Sequence, residues 1–148
     1  MCISLVLLAA SLVALGLGFV WIRISYLRYC AEADRIDFLR KTVSENESRL
    51  RDILAAFDRE FGEGISGTIS HNVRTKVDFS MSAIRTLTLE DQARETERLF
   101  KMTYETWVRA TRNPDDVPSI VSPLNMFCKE IARRKIEILK DLSAPGES

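Results

Sequence analysis

The first charged side chain in this sequence is Arg23. Cys2 to Ile22 read CISLVLLAASLVALGLGFVWI, an unbroken run without a single ionisable acid or base. A helix needs roughly 20 apolar residues to cross a hydrocarbon layer about 30 Å thick. Trp21 and Tyr26 stand where an aromatic belt would meet the lipid headgroups. A cleaved signal peptide is the rival explanation. The run has no basic residue before it, no clear A-x-A cleavage site, and an apolar stretch too long for a signal sequence. Residues 1–22 are therefore predicted to be a transmembrane anchor. Only the α-amino group precedes the span, whereas Arg23 and Arg28 follow it at once. The positive-inside rule then predicts a single-pass protein of the inner (plasma) membrane, its N-terminus outside and residues 23–148 in the cytoplasm.

The charge balance narrows the partners. Lys and Arg number 21, Asp and Glu 21, and the net charge is zero. Nucleic-acid binding draws on a basic surface that displaces counterions, so no nucleic-acid partner is expected. Three cysteines without a CxxC pair argue against a disulfide framework or a structural zinc site. The unpaired Cys30 and Cys128 suit a reducing compartment. No metal and no cofactor are expected.

The fold class predicted is mainly α. Residues 23–62 form a helical stalk: Leu50, Leu54, Phe57 and Phe61 recur at spacings of one helical stripe, as in a short coiled coil. The segment Phe61-Gly-Glu-Gly64 breaks it, since glycine inside a helix costs about 1 kcal/mol relative to alanine. Residues 63–112 form an antiparallel helical hairpin. Its first helix runs from about Ile65 to Leu87, with Ile65, Ile69, Val73, Val77 and Ile84 on one face. Thr88 with Asp91 three places on has capping-box character and opens the second helix. That helix reaches about Arg112, with Leu89, Ala93, Phe100, Tyr104, Trp107 and Val108 on one side. A lone hairpin of this size buries too little surface, so dimerisation into a four-helix bundle is expected. After the break at residues 113–118, Ser122 and Pro123 open a short helix carrying Leu124, Cys128 and Ile131. Ile136, Glu137 and Ile138 alternate like a strand, so residues 113–148 are predicted to be a short α+β remnant and a tail.

Within the hairpin, residues 69–75 read ISHNVRT. This string resembles the H-box of sensor histidine kinases, in which a Ser-His-Glu-hydrophobic-Arg-Thr-Pro-like motif lies early in the first helix of a dimeric hairpin. The order of parts is similar too: membrane helix, coiled linker, H-box helix, second helix, then an ATP-binding domain that opens with strand, helix and strand. Residues 119–121, 123–134 and 136–139 would be the rudiment of that domain. Helix geometry supports the comparison independently. His71 lies two residues from both Ile69 and Val73, about half a turn from each, so it projects away from the apolar face. Thr75 follows one turn later on the same face.

The resemblance implies roles residue by residue. His71 matches the phosphorylated histidine, whose imidazole would take a phosphoryl group from ATP or exchange it with an aspartate of a response regulator. Arg74 matches a phosphate contact. Thr75 matches the residue that positions water when the regulator is dephosphorylated. Two positions are degenerate. Asn72 replaces the usual acidic residue, and an amide is a poor base. Lys76 replaces the usual proline, so the bend of the helix is lost or softened. The sequence to Ser148 contains neither an Asn-box nor a Gly-rich lid, and residues 62–64 lack the Lys-Ser/Thr of a phosphate loop. Autophosphorylation by this chain alone is not expected.

The sequence therefore supports a membrane-anchored two-component signalling protein, a homodimer that meets a response regulator or a partner kinase. The alternative is a single-pass helical adaptor or assembly subunit without catalytic activity, in which the motif is accidental. A single histidine rules out most other catalytic constellations. Asp115 and Asp116 are read as turn and cap residues, and Phe100, Tyr104 and Trp107 as hairpin core.

Overall fold

The computed structural model describes the main chain over residues 2–62 and 67–143, and side chains over residues 15–62 and 67–140. The described residues form four helices and no strand: α1 (Cys2–Phe61), α2 (Gly67–Ile84), α3 (Leu89–Arg112) and α4 (Val117–Ser143). The chain divides into two compact units, Met1–Phe38 and Leu39–Ser148, and α1 supplies residues to both.

The first unit is helical from Cys2. Among the described residues, no helix is long and apolar enough to cross a membrane. Most of the apolar run expected to span the bilayer, up to residue 14, has side chains outside the described ones.

The second unit closes a helical bundle within one chain. Leu50, Leu54, Phe57 and Phe61 of α1, expected to form a coiled-coil stripe on a stalk, are buried with Ile69, Val73, Val77 and Ile84 of α2. Leu99 and Ala110 of α3 and Ile120, Leu124, Phe127 and Ile131 of α4 complete the same core. The two helices that the hairpin was expected to borrow from a second copy are thus supplied by α1 and α4. Burying a Leu, Ile or Phe side chain contributes about 2 kcal/mol, which is why α1 docks here rather than standing free.

Local chemistry ends each helix. A Cβ added at Gly62 would collide with the Asp58 carbonyl oxygen, so only glycine fits where α1 stops. Thr88 caps α3 as anticipated: its hydroxyl accepts the Asp91 amide at 3.3 Å and donates to the Asp91 carboxylate at 2.8 Å.

Two expectations are corrected. Residues 136–138 are not a strand, and the strand–helix–strand rudiment over 119–139 does not form; α4 is one helix from Val117 to Ser143. Three alternating residues fit either geometry. The longer stripe Ile120, Leu124, Phe127, Ile131 and Ile138 fits a helix and packs on the core, which decides it. The α4 start also moves. Asp116, not Ser122, caps it, accepting the Ser119 amide at 3.3 Å, and Pro123 lies in the helix interior.

The core face of α3 differs from the aromatic side expected. Glu95, Thr96, Leu99, Thr103, Thr106 and Ala110 are buried, while Tyr104 is 50% exposed. Phe100 and Trp107 sit partly buried at the flank. The threonine hydroxyls donate back to the carbonyls one turn earlier: Thr96 to Gln92 at 2.7 Å, Thr103 to Leu99 at 2.8 Å, Thr106 to Met102 at 2.8 Å. With their hydroxyls satisfied inside the helix, these residues pack as small apolar ones.

Candidate functional site

The motif 69–75 opens α2, and the periodicity that buries Ile69 and Val73 turns His71 outward, exposed to solvent. Among the described residues, no hydrogen bond or ion pair engages its imidazole. The groups around it are committed elsewhere. Asp58, near the end of α1, accepts the Ser70 hydroxyl at 2.5 Å and pairs with the Arg74 guanidinium. Thr75 donates its hydroxyl to the His71 carbonyl at 2.9 Å, within its own helix. Asn72 and Lys76 are half-buried, and the Lys76 carbonyl accepts the Cys128 thiol at 3.5 Å.

The electrostatics follow from that geometry. The hydroxyl donated by Ser70 holds the Asp58 carboxyl below the usual aspartate range, and the positive charge of Arg74 adds to the effect. Asp58 therefore carries its charge at neutral pH and keeps Arg74 beside it. Arg74 is thus a clamp between α1 and α2 in this structure. Sequence reasoning passed over Asp58, which lies outside the motif and looks like one more stalk charge.

A second polar cluster was also missed. Glu95, 2% exposed, receives Arg134 at 2.7 Å, with Arg94 at 3.4 Å and Arg98 at 3.6 Å. Arg98 in turn grips Glu130 with two nitrogens at 2.8 and 2.7 Å, and Arg134 reaches Glu130 at 3.2 Å. The hydrogen bonds that Arg98 donates to Glu130 lower the Glu130 carboxyl pKa and raise that of Arg98. One Glu95 oxygen, Oε2, has no hydrogen-bond partner. Arg98 to Glu130 and Arg134 to Glu95 tie α3 to α4, whereas Arg94 pairs with Asp91 and Glu95 within α3. The signal available in sequence was the spacing Glu95, Leu99, Thr103, Thr106, Ala110, a helical stripe visible only when threonine is counted as a core residue.

Among the described residues, no group of three or more His, Cys, Asp or Glu side chains is placed to hold a metal ion. The chain matches no protein-family model, no curated protein and no solved structure with which it was compared.

Proposed function

We propose that this chain is a membrane-held helical adaptor or assembly subunit, whose bundle binds another protein and does no chemistry of its own. The observation that carries this reading is the use of the motif's polar side chains. Ser70 and Arg74 both converge on Asp58, and Thr75 is bonded into its own helix. Phosphoryl transfer needs a base or a phosphate clamp directed at the imidazole. Here those groups join α1 to α2 instead. The helical course of residues 136–138 also supports the reading, because it removes the likeness to the opening strands of an ATP-binding domain. The uncharged run before Arg23 supports membrane attachment, with residues 23–148 in the cytoplasm.

One observation favours a second reading. His71 is exposed and points away from the core, as a phospho-acceptor must. In that reading a partner kinase or response regulator exchanges phosphate with His71, and the chain is one station in a two-component relay, as its motif suggested. Phosphohistidine analysis at neutral pH of the full chain isolated from its own cells separates the two. The adaptor reading expects no acid-labile phosphate that disappears in His71→Gln; finding it would transfer the assignment to the relay.

A further inference from the structure

We infer that the groove between α3 and α4 is the docking site for a helical segment of a partner protein, acidic along its flanks. The inference rests on the adaptor reading and names where the partner binds. The groove encloses about 570 Å³ and lies between Arg98, Arg109 and Met102 on one wall and Pro123, Met126 and Arg133 on the other. Met102, Pro123 and Met126 supply its apolar surface, with Phe127 buried in the core beneath them. Met126 is 70% exposed, more than Phe79, Tyr104, Ile136 or Leu139 of the same unit. Methionine is unbranched and polarizable, and suits a surface that must adapt to a partner's side chains.

The rim charge selects the occupant. Arg98 is neutralised by Glu130. Lys129 and Arg133 form no ion pair among the described residues, and Arg109 reaches only a backbone carbonyl, that of Ser119 at 3.5 Å. Against these three cations the rim sets one unpaired acid, Glu105. A concave apolar floor with a cationic rim is complementary to an amphipathic helix bearing Leu at i, i+3, i+4 and i+7 and Glu beside them. A bilayer offers a flat surface, which such a slot engages poorly.

The test uses the full chain in neutral detergent micelles. The probe is a dye-labelled synthetic amphipathic helix with a Leu stripe flanked by Glu, compared with a scrambled peptide of the same composition. The inference expects the probe to bind at least about tenfold more tightly than the scrambled peptide, with affinity falling as salt rises. Met126→Glu, and separately Lys129→Glu with Arg133→Glu, should each weaken it about tenfold. These residues are at the surface, and an unchanged melting temperature confirms that the bundle is intact. A second peptide with Lys in place of Glu should regain affinity for the Lys129→Glu/Arg133→Glu variant. Equal binding of probe and scrambled peptide, indifference to the variants, or failure of the Lys peptide to recover would overturn the inference. So would loss, in those variants, of binding to vesicles rich in anionic lipid with no effect on the peptide, since the face would then be a membrane surface. The adaptor reading survives such a failure if a photo-crosslinker at Phe79, on the exposed side of α2, still captures a partner in a manner independent of His71.

Discussion

Asp58 accepts a hydrogen bond from Ser70 at 2.5 Å, and the contact joins the last turns of α1 to the first turn of α2. Ser70 immediately precedes His71, and Arg74 closes on the same carboxylate from one turn further along. One aspartate thereby occupies two polar residues of the motif. Asp58→Ala should lower stability by about 1 kcal/mol, because the pair is half exposed and screened. The Asp58 carboxyl lies below the usual aspartate range, so its contribution is complete above the unfolded-state pKa and fades as pH falls through the folded one. Denaturant melts of wild type and Asp58→Asn should therefore differ at pH 7 and converge below about pH 4. A constant difference across that range would contradict the assignment.

The Glu95 cluster tests how α3 and α4 are held. Arg134→Met removes the closest cation from a buried carboxylate and should cost about 3 kcal/mol. Replacing both partners, Glu95→Leu with Arg134→Met, should recover most of that loss, since an apolar pair needs no desolvation compensation. Additive single-mutant costs in the double mutant would show that the two residues do not interact.

Pro123 and Arg109 are coupled through a carbonyl. A proline at position 123 cannot donate to the Ser119 oxygen one turn earlier, and Arg109 Nη1 lies 3.5 Å from that same oxygen. Pro123→Ala should raise the melting temperature, through about 1 kcal/mol of regained helix stability. Arg109→Ala should cost about 0.5 kcal/mol in the wild type and almost nothing in the Pro123→Ala background. Calorimetry of the four proteins measures both effects.

Residues 39–148 supply all four helices of their own bundle, so this fragment should sediment as a folded monomer at micromolar concentration. A stable dimer would mean that the exposed faces, not the closed core, dictate assembly.

Much of this fold was legible in the sequence. The apolar stripe of α2, the Thr88 cap and the end of α3 near Arg112 follow from periodicity and capping chemistry that local sequence carries. The outward direction of His71 followed from the same period. What was not legible was long-range. Nothing local says that Leu50 and Phe57 meet Val73 rather than a second copy, or that Asp58 reaches across to Ser70 and Arg74. Ile136 to Ile138 misled because three residues cannot distinguish a period of two from one of 3.6 when the stripe they extend begins at Ile120. The aromatic residues of α3 drew the expected core toward Tyr104, whereas hydroxyls satisfied within the helix let threonines take that place.

In the function proposed, the bundle acts by binding a protein and not through chemistry at His71. Site-specific photo-crosslinking of the full chain in its own membranes, from a probe at Met126, measures this directly when wild type, His71→Gln and Lys129→Glu/Arg133→Glu are compared. One discrete crosslinked partner is expected, unchanged in His71→Gln and lost in the charge-reversed variant. A crosslink that vanishes in His71→Gln while surviving charge reversal at the rim would contradict it.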